Sequence, residues 1–498
     1  MRTAHAPPHS PLWPLPGSRR PDPAEALRAL ALPAARALLS RLDRDPDSPT
    51  AGSFDPRGES PASVTAAGLL ALAAIERGTL PLTVVRRSAQ WLDRAIGAVA
   101  ATSLRDGAID PRPLHAALTV LTPADASAPR ALPWRALARR VTALATRSPL
   151  PSPIDEAHRI VTLVRALRLP PLLLDEWVAS RASSATAALL RRQSPEGWFP
   201  ESGACDAEAG LRLLDPLTEL AALSEDPELE GAIDSLLRFL TSIPTRDARL
   251  PASAHRQARP LHGIVGLVRL AQTHPVATWL LEGNLPDLDL APAPETTASL
   301  LSALPHLTGL VPPIPPRLPA ETWWPEAGLW VVRPQGRVWE AIVHGNDGGV
   351  VELRRPGGEP RTALGWRLRQ GGRSWETTHR AGGWELKKEE GRLTVRGCAT
   401  PRSQPRTRVG RLVARIARCL PRESPPEVER RIELDSCGVV ISDRLPPLQG
   451  GSADGMPGAT PEARALEGTT PPRLSLDEGA RPTIAWQGET DPREETLL

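Results

Sequence analysis

The spacing of apolar residues changes once along this chain, and that change constrains the fold most strongly. From about residue 22 to about residue 304, apolar residues recur at helical spacing in segments punctuated by Pro and Gly. After the proline-rich stretch LVPPIPPRLPAE at 310–321, short β-branched and aromatic runs alternate with Gly-containing turns up to about residue 445. The sequence therefore predicts a helical domain followed by an antiparallel β domain.

Several of the helical segments open with recognisable start signals. Asp22 can cap the free amides of the first segment, Pro23 suits a first turn because it lacks an N–H, and Glu25 can complete a capping box. Similar signals stand at Ser152 and Asp226. About ten such segments with no convincing strand among them indicate helical hairpins, either stacked into a solenoid or closed into an α/α toroid.

These patterns divide the chain into five parts and predict an α+β multidomain protein. The Gly-, Pro- and acid-rich C-terminal stretch is expected to be disordered. The predicted parts are a disordered N-terminus at 1–21, an α/α toroid in the form of an incomplete barrel of helical hairpins at 22–310, a Pro-rich hinge at 311–325, an antiparallel β-sandwich at 326–446, and a disordered tail at 447–498.

Charge and composition exclude several classes of partner. The formal net charge is only +3, and no basic stripe with interleaved aromatic residues is present, so we expect no nucleic-acid partner. All but Lys387 and Lys388 of the 60 basic residues are Arg, and Asn and Phe are rare, which is typical of a high-GC bacterial genome. The densest positive patch, at 402–418, is interpreted as a solvated face, and contact with an acidic polymer is the alternative.

No targeting, membrane or metal signal is found in the sequence. The N-terminal stretch has no apolar core of a signal peptide, and no run reaches the ~20 apolar residues of a membrane span. The four cysteines show no C-x-x-C spacing, so neither a zinc site nor a disulfide framework is indicated. We therefore expect a cytoplasmic protein without cofactor or metal.

Four sequence blocks, in order over about residues 50–445, resemble the heparinase II/III-like polysaccharide lyases of bacterial surface-polysaccharide clusters. The block containing GWFPE is the most specific of them. The resemblance implies an α/α toroid, a β-sandwich and an acidic polysaccharide as partner. The blocks are GSFDPRGESPASVTAAGLLALAAIERG at 52–78, SPEGWFPESGACDAEAG at 194–210, SAHRQARPLHGIVGLVRL at 253–270, and AGLWVVRP with HGNDGGV and ALGW, the last at 363–366.

The chain departs from this family pattern at two tyrosine positions. Ser202 and Ala209 stand where the family block has Tyr, and the chain contains no Tyr at all. Since Tyr commonly serves as the acid, and sometimes also as the base, in uronate elimination, that version of the mechanism is excluded. Relaxed selection on these positions, and a weakened or lost activity, fit this difference.

The remaining candidates suit the chemistry of a uronate lyase. Such an enzyme neutralises the substrate carboxylate, removes the proton from the adjacent carbon and protonates the departing oxygen. His255 is the candidate base and Arg256 the candidate carboxylate partner, and Glu201 or Asp206 is expected to orient them. The paired acids also leave open a glycosidase-like hydrolysis.

Four residues are candidates for substrate binding: Trp198, Phe199, Asp55 and Trp324. Each has a structural alternative. The two aromatic residues of the GWFPE block can plug the toroid, and Trp324 can seal the contact between domains. Asp55, like the acids Glu201 and Asp206, can have a structural role such as capping a helix.

The leading hypothesis is a heparinase II/III-like protein that acts on or binds a uronate-containing polysaccharide. Whether it is an enzyme or a pseudoenzyme is left open. A non-catalytic glycan-binding or assembly protein is the alternative, and a toroidal glycoside hydrolase using Glu201 and Asp206 is the second alternative. Protein partners are unknown.

Overall fold

A computed structural model describes two regions, one helical and one built from strands. The described residues are 22–43, 45, 47, 48, 54, 150, 152–167, 175–201, 205–246, 248, 250, 263–285, 294–334, 339–354, 361–363, 366–370, 373–377, 384–401, 427–434, 438–444, 452–455 and 483–487. Among them are eight α-helices: α1 (Pro23–Leu39), α2 (Pro153–Leu167), α3 (Asp175–Leu190), α4 (Ala207–Ser224), α5 (Pro227–Ser242), α6 (Ile264–Leu270), α7 (Pro275–Asn284) and α8 (Pro294–Ala303).

The helix starts follow the predicted capping signals. The Asp22 side chain accepts a hydrogen bond from the Ala24 amide at 3.0 Å, and Asp226 accepts one from the Glu228 amide at 2.9 Å. In each case Pro occupies the first helical position, where the missing N–H leaves no carbonyl unpaired. Ser152 accepts a bond from the Asp155 amide at 3.3 Å before α2. The sequence prediction of these three starts is therefore confirmed.

The helices form an inner row with partners behind it. Helix α4 packs against α2 on one side and α6 on the other, and α6 in turn contacts α8. Behind them, α3 packs on α2, α5 on α4 and α7 on α6. The described helices thus form two layers that pack on each other. Because α4 has neighbours on several sides, it buries apolar residues around much of its circumference rather than along one stripe.

Close contact between α4 and α6 depends on Gly266. A Cβ atom at this position would lie 2.5 Å from the carbonyl carbon of Leu214 and 2.6 Å from its Cβ. Only a residue without a side chain permits this approach. The two helices therefore pack at a short separation. This brings the Gly266 amide of α6 within 2.7 Å of the Asp215 carboxylate of α4.

All described strand pairs are antiparallel, as predicted. They form three sheets, with the orders β1-β2-β3-β4-β5, β10-β7-β6-β13 and β14-β12-β11-β9-β8. The strands are β1 (Glu321–Trp324), β2 (Leu329–Val332), β3 (Glu340–His344), β4 (Val350–Arg354), β5 (Arg361–Ala363), β6 (Trp366–Gln370), β7 (Arg373–Glu376), β8 (Glu385–Glu389), β9 (Arg392–Cys398), β10 (Thr400–Pro401), β11 (Glu427–Leu434), β12 (Gly438–Arg444), β13 (Ser452–Gly455) and β14 (Thr483–Gln487).

The two five-stranded sheets pack face to face. Residues of β2, β3 and β4, including the fully buried Trp330, share one apolar cluster with Leu393, Val395 and Ile432 of β9 and β11. Two layers joined by such a core make a β-sandwich. Between β3 and β4, Gly348 and Gly349 both have positive φ, at 74° and 76°, which is the tight turn that the sequence predicts there.

Nine described residues of the stretch 447–498, for which the sequence predicts disorder, form two short strands. Strand β13 pairs with β6, and β14 pairs with β12 at the edge of the third sheet. In β14, TIAWQ combines β-branched and aromatic residues that suit a strand, and pairing partners far away in the sequence supply the hydrogen bonds. Composition averaged over the whole tail concealed these short segments.

The proline-rich segment between the regions is anchored rather than free. The Val311 amide donates to the Ala271 carbonyl at 2.8 Å and the Ile314 amide to the Pro275 carbonyl at 3.2 Å, so the segment runs along the end of α6 and the start of α7. Strand β1 begins at Glu321, inside the predicted hinge at 311–325. No described helix is both long and apolar enough to cross a membrane.

Candidate functional site

The segment that joins α3 to α4 is built around a tight turn. Gly197 has a φ of +95°, and the Ser194 amide donates to the Trp198 carbonyl at 2.8 Å across the turn. The Gln193 side-chain amide donates to the carbonyls of Gly197 and Ala232, both at 2.8 Å. A Cβ at Gly197 would lie 2.4 Å from the Ser235 carbonyl oxygen, so glycine is required where the turn packs on α5.

Ser194 and Glu196, in the first half of this segment, form hydrogen bonds with the β-sandwich. The Glu196 carboxylate accepts hydrogen bonds from the Glu326 amide at 3.0 Å, the Ala327 amide at 2.9 Å and the Trp198 indole N–H at 3.0 Å. The Ser194 hydroxyl donates to the Glu326 carboxylate at 2.5 Å. One carboxylate thus joins the helical segment, the indole ring and the turn between β1 and β2.

Trp198 and Phe199 lie in the hydrophobic core of the helical region. Their exposed fractions are 8% and 3%, and both belong to the same apolar cluster as the α4 and α5 leucines. A ring buried to this degree offers a sugar little surface to stack on. Both rings therefore fill the core of the helical region, which agrees with the structural alternative for these two residues.

Glu201 occupies a different environment, at the start of α2 and α4. Its carboxylate accepts a hydrogen bond from the Ser152 hydroxyl at 3.1 Å. Partial burial raises the pKa of Glu201, and the nearby carboxylates of Asp155 and Asp206 raise it further. The Ser152 hydroxyl and the Arg192 guanidinium oppose this increase. The result is a half-buried carboxyl that holds its proton to higher pH than an ordinary glutamate.

Asp206 caps helix α4. Its carboxylate accepts hydrogen bonds from the Glu208 amide at 3.0 Å and the Ala209 amide at 3.1 Å. The structure thus brings Glu201 and Asp206 into one electrostatic environment and gives Asp206 the capping position that was its structural alternative. Asp155 and Arg192 also act on the Glu201 carboxyl. The sequence analysis did not assign these two residues to the site. It did predict the start of α2, at Ser152, which lies beside them.

Trp324 lies at the contact between the two regions. Its ring meets that of Phe239 of α5 in an edge-to-face arrangement, with ring centroids 5.3 Å apart. Such pairs add stability beyond the area they bury. The Trp324 ring therefore packs on the helical region, which agrees with a role for this residue in the contact between the two regions.

Other contacts fix the sandwich on the same end of the helices. The buried Arg333 guanidinium donates to the carbonyls of Ser242, at 2.6 Å, and Pro244, at 2.7 Å and 3.0 Å. Burial lowers the pKa of Arg333 to about 10. The Arg246 amide donates to the Glu340 carboxylate at 3.0 Å. Glu201 lies on the connection between α3 and α4, which Glu196 joins to the turn between β1 and β2.

Three candidates from the sequence, His255, Arg256 and Asp55, lie outside the described residues. Their roles stay predictions. Within the part of the chain that the structure describes, no group of three or more His, Cys, Asp or Glu side chains is arranged to hold a metal ion.

Comparison with solved structures relates the fold to polysaccharide lyases. A crystal structure of heparinase III matches with a TM-score of 0.51 and 10% identity, over 90% of this chain and 75% of that chain. A mutant chondroitin AC lyase of Streptomyces coelicolor A3 gives a TM-score of 0.48 and 13% identity over 87% and 68% of the two chains. A heparan sulfate lyase of Pedobacter heparinus gives 0.39 and 10% over 87% and 75%.

The likeness to heparinase III shows a shared fold. No protein-family model matches the chain, and no curated protein matches it.

Proposed function

We propose that this protein binds or cleaves a uronate-containing polysaccharide at a surface around Glu201, in the metabolism of a bacterial surface polysaccharide. The observation that carries the proposal is the Glu201 carboxyl, half-buried with a raised pKa beside the clamp between helices and sandwich. The fold shared with heparinase III supports the choice of an acidic polysaccharide as ligand.

The raised pKa of Glu201 lets it keep a proton to higher pH than an ordinary glutamate, which suits it to act as a proton donor. A carboxyl that is partly protonated can donate to a departing glycosidic oxygen, and the resulting carboxylate can take the proton back from water. In this proposal His255 removes the proton next to the uronate carboxyl group, and Arg256 pairs with that carboxyl group. Asp206 stabilises the start of α4 and keeps the carboxylate environment of Glu201 in place.

The test follows the unsaturated product of elimination by its absorbance during incubation with heparan sulfate, chondroitin and alginate. We expect Glu201→Gln to lower the rate by about 100-fold or more, the usual contribution of a positioned acid. The control is Glu228→Gln, which removes an exposed carboxylate in the first turn of α5 and should leave the rate unchanged. Equal rates in the wild type and both variants would refute the role of Glu201.

Non-catalytic glycan binding is the second candidate. It is favoured because Asp206 is engaged in a helix cap and the GWFPE aromatic rings are buried, which leaves Glu201 as the described candidate on this segment that is neither buried nor used as a cap. The same engagement of Asp206 weighs against hydrolysis by a Glu201 and Asp206 pair. Retained binding of a uronate polymer without any product, in the wild type, would support binding over catalysis.

A further inference from the structure

The proline-rich segment between the helical region and the β-sandwich lies outside the helices and strands. Residues 310–319, LVPPIPPRLP, contain five prolines and form no helix, strand or turn. Each proline fixes its own φ at about −65° and keeps the residue before it out of the helical conformation. The sequence therefore favours polyproline II here, a left-handed helix with about three residues per turn. We call residues 310–319 the proline segment.

The polyproline II period sorts the side chains of the proline segment into rows. Because every third residue lies on the same side, Pro312 shares a row with Pro315, and Ile314 shares one with Arg317. All four residues are exposed. Ile314, at 58%, is the most exposed of the large apolar residues that the structure describes. Two prolines and an isoleucine thus face solvent next to a cation.

Contacts with neighbouring elements fix the proline segment at both ends. At its start, the amides of Val311 and Ile314 donate to carbonyl groups of the helical region. At its end, the Arg333 guanidinium donates to the Pro319 carbonyl at 3.2 Å. Leu318 packs on the apolar core of the helical region. Since the fold already orders this segment, a partner that binds it pays little further conformational entropy.

The Arg317 side chain is available to a partner. It is exposed, and it forms no hydrogen bond or ion pair with any residue that the structure describes. It follows Pro312 and Pro315 in the order P-x-x-P-x-R. A guanidinium group in this position can pair with a carboxylate beside whatever contacts the prolines.

The exposure of Ile314 distinguishes the proline segment from a plain connector. An apolar side chain left in water forgoes the free energy that its burial would release, and a partner that covers Ile314 would recover it. The carbonyl groups of polyproline II are also not used within that helix, so they can accept hydrogen bonds from outside. Apolar surface, free acceptors and a cation are thus presented together on an ordered segment.

We propose that the proline segment binds a second protein, in an aromatic-lined groove that carries a carboxylate at one end. Such grooves recognise Pro-rich P-x-x-P segments because the polyproline II conformation is formed before binding. In this complex Pro312 and Pro315 pack against the aromatic rings, Ile314 adds apolar contact, and Arg317 pairs with the carboxylate. The inference does not depend on the proposed function, since it needs no polysaccharide.

The probes are purified SH3 and WW domains, which have aromatic-lined grooves of this kind, and isothermal titration measures their binding to the full chain. The synthetic peptide LVPPIPPRLPAE, residues 310–321, identifies the domains that accept the free sequence. We expect such a domain to bind the full chain at least as tightly as the peptide, because the fold has already ordered the segment. Binding to the peptide alone, or to neither, would overturn the proposal.

Two variants of the full chain test the contacts separately. Pro315→Ala should weaken binding about tenfold or more at every salt concentration, since it removes an apolar contact and loosens the extended backbone. Arg317→Glu should weaken binding about tenfold at low salt and less at high salt, because an exposed charge pair is screened. A loss of affinity by Arg317→Glu that is independent of salt would contradict the charge pair.

The matched controls lie elsewhere on the surface. Pro227→Ala removes an exposed proline at the start of α5, and Arg28→Glu reverses an exposed charge on α1. Neither should change the affinity, and weakening equal to that of the test variants would overturn the proposal. If thermal unfolding shows that Pro315→Ala destabilises the chain, Ile314→Ser replaces it and should also weaken binding, because it changes only an exposed side chain.

Sedimentation of the full chain without any probe tests whether the partner is a second copy. We expect the wild type and Pro315→Ala to sediment alike. Self-association of the wild type that Pro315→Ala abolishes would assign the proline segment to a contact between copies and overturn the proposed partner.

Discussion

Asp215 makes the stability of the helical region depend on pH in a direction opposite to that of most acidic residues. Its carboxyl group is enclosed by protein, although the residue keeps some exposed surface, and burial raises its pKa from 3.8 to about 7. The same carboxyl accepts a hydrogen bond from the Gly266 amide at 2.7 Å. We therefore predict that Asp215→Asn removes a pH-dependent loss of stability while it keeps an oxygen for Gly266.

The direction of this pH dependence follows from the pKa of Asp215 in the unfolded chain, 3.8, and in the folded protein, about 7. The folded state holds the proton of Asp215 more tightly than the unfolded chain, so its contribution is fully present below pH 3.8 and is lost as the pH rises to about 7. A change of roughly three pKa units corresponds to at most about 4 kcal/mol. Because the Asn side chain does not ionise, the variant should gain on the wild type by up to that amount between pH 4 and pH 8.

Urea denaturation followed by circular dichroism of the helices gives the free energy of unfolding at each pH. The quantity to plot is the difference between variant and wild type, in which the titration of groups that do not interact with Asp215 cancels. Asp226→Asn is the control, because Asn caps a helix about as well as Asp and the capping hydrogen bond of Asp226 is exposed. A difference for Asp215→Asn that stays constant from pH 4 to pH 8 would refute the reasoning.

Two further predictions concern packing and the contact between the regions. Gly266→Ala should destabilise the protein by about 3 kcal/mol or more in thermal unfolding, because its methyl group would overlap the Leu214 backbone. Gly231→Ala is the control. A Cβ at Gly231 has no atom within 4 Å, so this variant should be neutral or stabilised by about 0.5–1 kcal/mol. Glu196→Gln should cost about 1–3 kcal/mol, since it weakens three bonds to one charged acceptor, and should speed limited proteolysis between the regions. The exposed Glu230→Gln is its control, and identical cleavage rates would contradict the clamp.

Local features of the fold were predictable because neighbours in the sequence decide them. The start of α1 needs only Asp22 and Pro23, and the turn after β3 needs only two adjacent glycines that accept positive φ. The change from helical to alternating spacing near residue 310 separates the described helices from the described strands for the same reason. Glu201 and Asp206 were also identified from the sequence, because they stand close together in the segment 194–210.

The environment of each candidate depended on residues far away in the sequence. Nothing near Glu196 indicates that it accepts bonds from the amides of Glu326 and Ala327. The strands β13 and β14 were missed because each is short and is stabilised by a partner strand distant in the sequence. In these cases burial and pairing, rather than local propensity, determine what the residues do.

The sequence by itself determined where helices begin, where the periodicity changes, and which side chains have the chemistry for an acidic sugar. Only the tertiary structure decided which of them are available: it buried Trp198, used Asp206 as a cap and raised the pKa of Glu201. The physical reason is that capping and periodicity act over one or two turns, whereas desolvation and charge pairing depend on packing between elements remote along the chain.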